Sequence, residues 1–256
     1  MKVFTYMKIF DCFTYFNEED LLRVRFEELG DIVDHFVIVE ASETFTGKEK
    51  PFHLDQLPDW AKKWEDKIIK IRIHFNSPDL SMVKSPWERE HYQRNAIRFG
   101  LDKAEADDIV IISDADEIIS SNIINQLKLV ETPARLDVKQ YFWNYNWQVP
   151  EHCNQGARPI AARFKDVEAQ SCQELRAGTW YTIPDAGWHF SFFTDIENIK
   201  NKIESFAHTE YNLEEFKDDK EIFRRINEGM DPFDRFPLKY YEVDETYPDW
   251  VRKNFR

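Results

Sequence analysis

A short apolar run that leads straight into an acidic turn is the feature that most constrains this chain. Residues 109–112 are Ile-Val-Ile-Ile, and Asp114, Asp116 and Glu117 follow closely. Such a run is typical of a strand buried on both faces of a parallel sheet. Open α/β sheets bind ligands at the carboxyl ends of their strands, and clustered carboxylates suit a divalent cation that carries a phosphate-bearing ligand. We therefore expect the active site at the end of this strand.

The simplest alternative for the acidic turn is helix capping. Asp114 and Asp116 precede a helix that should begin near Ser120, and short acidic turns often cap helices. Two aspartates separated by one residue are also common in loops. The acidic turn by itself therefore leaves capping and ligand binding open.

The composition favours one soluble α/β domain that covers residues 1–256. Hydrophobic residues make up 42% of the chain, enough for a sizeable core. The formal net charge of −14 opposes binding to nucleic acid and to anionic membrane surfaces. Three scattered cysteines are too few for a disulfide framework or a zinc site and indicate a reducing, cytoplasmic setting. We expect neither a signal peptide nor a membrane span, because no apolar segment is long enough.

The hydrophobic pattern of the first half predicts a parallel sheet. Strands are expected over residues 8–13, 36–39 and 68–73, and Asn17 should cap the helix that links the first two. A strand, a helix and a strand within about 30 residues make one βαβ unit. A long helix over residues 86–104 then leads to the acidic strand.

The second half is rich in aromatic residues and predicts a less regular architecture. A helix over residues 121–130 should precede an aromatic strand over 140–147, which should pair antiparallel with a strand over 159–164. Helices over 196–206 and 213–228 follow. Strand alternation buries only half of the aromatic rings, so the others are available to stack on sugars. Burial in the core is the alternative for these rings.

The chain lacks both common phosphate-binding sequences, GxGxxG and the Walker motif. A phosphate must therefore be neutralised otherwise, by a metal on Asp116 helped by Lys48, Lys50 or Arg94. Glu40, at the end of the second strand, is placed to accept a hydrogen bond from a ribose or a base. The alternative for the three basic residues is ordinary solvated surface.

His189 is the candidate that would complete a metal site. Taken alone, such a residue is more often a core histidine than a ligand. Its position after Gly187 and Trp188 strengthens the ligand interpretation, because glycine lets the backbone approach a ligand closely.

Several separate motifs occur in a fixed order along nearly the whole chain. They are Asn17-Glu18 before Asp20-Leu21-Leu22, residues 25–34, Val39-Glu40, residues 44–48, Trp87, Tyr92 and Arg94, residues 112–118, Ala186-Gly187-Trp188-His189 and residues 202–210. Together they resemble glycosyltransferase family 17, which contains the β-1,4-mannosyl-glycoprotein 4-β-N-acetylglucosaminyltransferases. Several motifs in one order are far more specific than any one of them.

The resemblance implies a GT-A type α/β fold, with a Rossmann-like, mostly parallel central sheet flanked by helices, a small antiparallel aromatic sheet and C-terminal helices. A nucleotide-sugar-binding half would span residues 8–118 and an acceptor-binding half residues 119–256. It also implies a UDP-sugar donor, a glycan acceptor, Mn²⁺ or Mg²⁺ as cofactor, and inversion at the anomeric carbon. We expect no N-terminal membrane anchor of the animal Golgi kind, which leaves the acceptor open.

The resemblance also gives each candidate a role. Asp116 would bind the metal, His189 would complete its coordination, and Asp114 would contact the ribose or reach the metal through water. The acceptor hydroxyl must lose its proton to a carboxylate on the opposite face of the sugar. Glu210 is the preferred base, because an acidic residue matches there, and Asp185 and Glu174 are the others. The donor-binding candidates are Asn17, Glu40, Lys48, Lys50, Arg94 and Asp114.

Two other functions compete with glycosyl transfer. A metal-dependent phosphohydrolase also has a buried strand that ends in two aspartates, but that motif usually closes the first strand and is followed by Thr or Val, not by Glu117-Ile118. A carbohydrate-binding protein without catalysis would account for the aromatic residues. The intact set of Asp114, Asp116 and His189 argues against it.

Overall fold

The computed structural model describes residues 6–154, 156 and 158–255, and the remaining positions of the predicted 1–256 domain lie outside the described residues. Within this part of the chain the strands form one continuous sheet. The strands are β1 (Ile9–Tyr15), β2 (His35–Ala41), β3 (Ile68–Ile73), β4 (Ile109–Asp114), β5 (Glu117–Ile119), β6 (Ala134–Phe142), β7 (Trp147–Gln148), β8 (Ile160–Arg163), β9 (Thr182–Ser191) and β10 (Lys239–Tyr240).

The helices flank this sheet, and short 3₁₀ segments join them. They are α1 (Glu19–Leu29), α2 (Pro86–Asn95), α3 (Ser121–Ile124), α4 (Phe164–Ala169), α5 (Cys172–Ala177), α6 (Ile196–Ser205), α7 (Glu214–Lys217), α8 (Asp219–Glu228) and α9 (Asp249–Asn254). Among the described residues, no helix has both the length and the apolar character that a membrane span requires.

The parallel part of the sheet has the order β3-β2-β1-β4. Beyond it, β8 pairs antiparallel with β4 and with β6, while β9 pairs parallel with β6 and antiparallel with β5. This sheet confirms the predicted α/β fold with a mostly parallel centre flanked by helices, and it is consistent with the GT-A type. The aromatic strands extend the main sheet, however, and do not form a separate antiparallel one.

The two faces of the parallel strands are buried against different helices. Ile9 and Phe13 of β1 belong to the hydrophobic cluster that includes α1. Phe10 and Cys12 alternate with them and belong to the cluster that includes the segment after α2. Burial on both faces explains why these strands read as nearly continuous apolar runs.

The strand register brings the predicted site together at one edge of the sheet. Thr14, at the end of β1, lies opposite Asp114 at the end of β4. The acidic turn then leads into β5, which places Glu117 opposite His189 of β9. Two motifs far apart in sequence, the acidic turn and Gly-Trp-His, are therefore neighbours in one sheet.

Gly187 makes the pairing of β5 with β9 possible. Its φ is 156°, and a Cβ atom there would lie 2.1 Å from the carbonyl oxygen of Ile118. Any side chain would therefore push the two strands apart. The backbone at Gly187 therefore approaches this neighbouring strand closely, and not a ligand as predicted.

Several predicted helix boundaries are wrong. Asn17 does not cap α1, which begins at Glu19 without a side-chain cap. The α-helix predicted over residues 86–104 ends at Asn95 and continues as a 3₁₀ segment over Ala96–Gly100. The helix predicted over 121–130 is α-helical only in α3, and a 3₁₀ turn follows it. Local hydrogen bonds set where each of these helices begins and ends, and hydrophobic spacing does not reveal them.

Side-chain caps explain two further corrections. The helix predicted over residues 213–228 is interrupted, because the side chain of Asp218 caps α8. The side chain of Ser120 caps α3 by accepting a hydrogen bond from the backbone N–H of Asn122. Asp114 and Asp116 are therefore not helix caps, and the capping alternative for the acidic turn is wrong.

The aromatic strand lies earlier in the chain than residues 140–147. β6 ends at Phe142, Trp143 adopts a left-handed φ of 72°, and the chain resumes as β7 only at Trp147. Strand β8 does pair antiparallel with β6, as predicted for residues 159–164. Aromatic composition predicted the strand and missed the turn inside it.

A fully buried arginine fixes the acidic turn. Arg25 of α1 donates from Nε to Asp11 of β1 at 2.7 Å and from an Nη to the hydroxyl of Ser113 at 2.6 Å. Its other Nη donates to the carbonyl oxygens of Asp114 and Glu117, each at 2.9 Å. One guanidinium thus connects α1, β1, β4 and β5 directly beneath the turn.

We expect Arg25→Met to lower the free energy of unfolding by about 3–5 kcal/mol, because Asp11 would remain as an unpaired buried charge. Urea denaturation measures this change. Lys62→Met is the matched control, because it removes one partner of an exposed ion pair and should leave the free energy of unfolding nearly unchanged. Equal stability of the two variants would contradict a structural role for Arg25.

Candidate active site

A cavity of about 950 Å³ opens at the edge of the sheet where the acidic turn lies. Two groups of lining residues define its chemistry. The polar cluster consists of Arg94, Asp114, Asp116, Arg176, His189 and Lys202. The aromatic cluster consists of Trp87, Phe206, His208, Tyr211 and Phe233. Both halves of the chain contribute to each cluster, so the cavity has room and contacts for a ligand with a charged part and a sugar part.

Asp114 is held between two arginines. Its Oδ1 accepts a hydrogen bond from Arg94 at 3.2 Å and its Oδ2 accepts one from Arg176 at 2.8 Å. Burial opposes ionisation, but these two guanidinium groups hold the pKa of Asp114 below its ordinary value. Both oxygens are engaged, so Asp114 orients cations and is not a free nucleophile. This geometry disfavours the phosphohydrolase alternative.

Asp116 is paired on both of its oxygens as well. Lys202 Nζ lies 2.8 Å from Oδ2, and His189 Nε2 lies 3.4 Å from Oδ1. Although burial opposes ionisation, the charge of Lys202 and then that of His189 hold the pKa of Asp116 well below its ordinary value. Burial also opposes the imidazolium, but Asp116 raises the pKa of His189. The structure therefore brings Asp116 and His189 together, as predicted, with a lysine that was not predicted to join them.

Asp116 and His189 together offer a carboxylate and an imidazole to a divalent cation. A carboxylate and an imidazole are both ligands that Mn²⁺ accepts, and Asp116 and His189 both face the cavity. Across the described positions, no group of three or more His, Cys, Asp or Glu side chains is arranged to hold a metal ion. Mg²⁺ commonly binds through one or two carboxylates together with substrate phosphates and water. The two side chains fit a cation that takes its other ligands from a bound donor.

Three residues that line the cavity were not predicted as site residues: Glu18, Arg176 and Lys202. Arg176 binds Glu117 through both carboxylate oxygens, at 2.7 and 2.9 Å, besides Asp114. Burial raises the pKa of Glu18, and Lys202 opposes this change. Glu18 and Lys202 lie within family-like motifs, which is a signal that could have found them. Nothing in the sequence around Arg176 marks it.

The structure places only some of the predicted donor-binding residues at the cavity. Lys50 lines it, as Arg94 and Asp114 do, but its ammonium is bound to Glu40 at 2.9 Å. Glu40 is buried and also accepts hydrogen bonds from the backbone N–H groups of His53 and Leu54. It thus fixes the loop after β2 and does not face the cavity. Asn17 and Lys48 lie outside the lining too, and Lys48 pairs with Glu204.

None of the three predicted bases lines the cavity directly. Asp185 is exposed and lies 3.5 Å from Lys139. Glu174 forms a capping box with Ser171, the N-cap of α5, and hydrogen bonds from Ser171 lower the pKa of Glu174. Glu210 differs from both, because its Oε1 lies 2.7 Å from Nδ1 of His208, which is a cavity residue.

The aromatic cluster offers flat surfaces beside this histidine. The rings of Tyr211 and Phe233 stack with their centroids 4.0 Å apart. Trp87 meets His208 edge-on at 4.6 Å, and its side chain remains 41% exposed. Exposed aromatic faces with polar edges suit contact with the apolar face of a sugar ring.

Comparison with known proteins agrees with this geometry. The profile of glycosyltransferase family 17 matches residues 2–252. The chain belongs to glycosyltransferase family 17. The family that the sequence motifs predicted is therefore confirmed.

Curated relatives of this family 17 chain include proteins named beta-1,4-mannosyl-glycoprotein 4-beta-N-acetylglucosaminyltransferase from Homo sapiens, Rattus norvegicus and Mus musculus. Each is 25% identical over 221 residues, which cover 74% of this chain and 41% of the relative. The chain thus spans about two fifths of the length of these relatives.

We expect Asp116→Asn to lower the pKa of His189, because burial and Lys202 remain while the carboxylate that favours the imidazolium is lost. Because folding raises the pKa of His189, its pairing with Asp116 also stabilises the folded protein. This contribution to the free energy of unfolding is complete below about pH 6.5 and is lost as the pH rises through the pKa of His189 in the folded state. Titration of the histidine ring by NMR measures the shift.

His53 is the internal control for this titration. Burial and Lys50 lower its pKa, and Asp116 is not among the groups that affect it. Its titration should be the same in both proteins. An unchanged pKa of His189 in Asp116→Asn would contradict the pairing.

Proposed function

We propose that this family 17 glycosyltransferase transfers N-acetylglucosamine from a UDP-sugar to a hydroxyl group of a glycan, with inversion at the anomeric carbon. One observation carries the proposal: a single cavity is lined both by the polar cluster, which contains two arginines and a lysine, and by the aromatic cluster. The donor sugar is proposed from the names of the relatives. A transferase needs both clusters, because the donor is anionic and the acceptor is a sugar.

The polar cluster is the proposed site of the donor diphosphate. Negative charge develops on the diphosphate as the glycosidic bond breaks, and fixed hydrogen-bond donors stabilise such charge best. Arg94 and Arg176 line the cavity in orientations fixed by Asp114, and among the described residues neither Nε has a hydrogen-bond partner. Asp116 and His189 would hold Mn²⁺ or Mg²⁺, which when bound supplies further charge neutralisation.

The aromatic cluster is the proposed site of the acceptor. The acceptor hydroxyl must lose a proton as it attacks the anomeric carbon, and the predicted base Glu210 reaches the cavity through His208. We propose that the imidazole of His208 takes the proton while Glu210 orients the ring and stabilises the imidazolium. Hydrogen bonding to His208 holds the pKa of Glu210 below its ordinary value, so the carboxylate is ionised for this purpose.

Calorimetric titration with UDP-N-acetylglucosamine, with and without Mn²⁺, tests the donor proposal. Binding that strengthens with Mn²⁺ supports a metal-assisted UDP-sugar site. Incubation of the donor with a panel of N-glycan acceptors, followed by mass spectrometry, then tests transfer. Failure to bind any uridine nucleotide would contradict the proposal.

We expect Asp116→Ala to abolish transfer, because it removes the carboxylate shared by the metal site and Lys202. Sugar transfer is measured by UDP release in the presence of Mn²⁺ and acceptor. Asp185→Ala is the control, because Asp185 is exposed and outside the cavity lining. A near-normal rate in Asp116→Ala would contradict the role of the acidic turn.

We expect His208→Gln to slow transfer by about two to four orders of magnitude, since a positioned general base contributes that much. Glu210→Gln should slow transfer too, because the imidazole loses the carboxylate that orients it. Affinity for UDP should persist in both variants. Transfer at fixed donor concentration, followed between pH 5 and 9, measures the effect.

Glu174→Gln and Asp185→Asn are the matched controls for the base. Both carboxylates lie outside the cavity lining, so both variants should transfer normally. If either control is inactive while Glu210→Gln is normal, the base has been assigned to the wrong residue.

A further inference from the structure

Lys202 makes the shorter of the two ion pairs with Asp116 of the acidic turn. Its Nζ lies 2.8 Å from Oδ2 of Asp116 and 3.4 Å from the hydroxyl of Ser191, and the ammonium lies 5.3 Å from the centre of the Phe192 ring. Its side chain is only 22% exposed. A lysine in this position is an ordered part of the site and not a solvated surface charge.

The fold fixes the origin of this side chain. Helix α6 is capped by Asp195 and is anchored through Ile199 and Ile203, which are 1% exposed in the core. Lys202 lies next to Ile203 and lines the cavity. Its four-carbon stem can therefore redirect the ammonium within the cavity while the helix stays fixed.

The charges around Asp116 create a conflict for a divalent cation. Asp116 and His189 are the proposed ligands, yet the ammonium of Lys202 already neutralises the carboxylate. A metal ion that binds the same carboxylate would meet a positive charge in a buried setting, where charges are poorly screened. The protein without donor should therefore bind the metal weakly.

A donor diphosphate removes this conflict. It brings negative charge to the polar cluster and offers oxygen acceptors to the ammonium of Lys202 as well as to a metal ion. We propose that Lys202 neutralises Asp116 before the donor binds and then donates to the diphosphate, so that it couples the binding of metal and donor. This inference rests on the proposed UDP-sugar function, and it adds that the metal and the donor bind in a coupled way. Because coupling is reciprocal, each ligand should strengthen the other.

Lys202→Met tests this coupling, because methionine keeps an apolar stem and removes the charge. Mn²⁺ affinity is measured by electron paramagnetic resonance without nucleotide, and UDP affinity by calorimetry in EDTA and in Mn²⁺. We expect Mn²⁺ alone to bind about tenfold more tightly in the variant and UDP in EDTA about tenfold more weakly. The factor by which UDP strengthens Mn²⁺ binding should fall accordingly.

Two control variants separate charge from structure. Lys200 lies on the same helix and pairs with Glu197 and Asp219 outside the cavity. Lys200→Met should therefore bind Mn²⁺ and UDP as the wild type does. Lys202→Arg keeps the charge and should keep most of the coupling. Thermal unfolding of all variants shows whether each is folded.

The opposite signs of the two effects make the outcomes decisive. Weaker binding of both Mn²⁺ and UDP in Lys202→Met would overturn the inference, because it would indicate a structural role. Unchanged affinities would overturn it as well. A wild-type protein that binds no UDP in either condition would instead contradict the proposed function itself.

Discussion

The contact on which the site depends is the buried guanidinium of Arg25. It reaches one side chain on each of β1 and β4 and the backbone carbonyls on both sides of the acidic turn. An arginine is charged at any physiological pH and presents its donors in a fixed plane, so this junction has one geometry. These hydrogen bonds hold the turn that carries Asp114 and Asp116 in place without a ligand, which suits a site that stabilises developing charge.

The carboxylates of the turn are compensated by cations from three distant segments. Arg94 comes from α2, Arg176 from α5 and Lys202 from α6. Buried ion pairs of this kind add little net stability, because desolvation offsets most of the Coulomb attraction. Their concentration at one cavity is better explained by function, since every pair holds a cation where an anionic ligand can use it.

The sequence predicted those features that depend on local pattern. The apolar runs located the parallel strands, and the acidic residues after β4 were correctly placed at a strand end. Of the cationic partners, Arg94 was predicted, whereas Arg176 was missed because it meets Asp114 only through the packing of α5 against the sheet. The predicted bounds of the aromatic strand were wrong for a related reason. A high content of aromatic residues indicates a strand, but the left-handed φ of Trp143 that ends it depends on tertiary contacts.

At the aromatic cluster, the motif located the right segment of the chain but not the side chain that lines the cavity. The position of Glu210 after the Gly-Trp-His segment correctly led to a part of the chain that reaches the cavity. A short 3₁₀ turn over Thr209–Tyr211 then decides which side chains face inward, and it places His208 and Tyr211 in the lining while Glu210 stays behind the imidazole. A carboxylate in that position orients a base more readily than it meets the acceptor. The proton transfer that we propose would therefore be shared by His208 and Glu210, and the backbone of that turn sets which of the two faces the cavity.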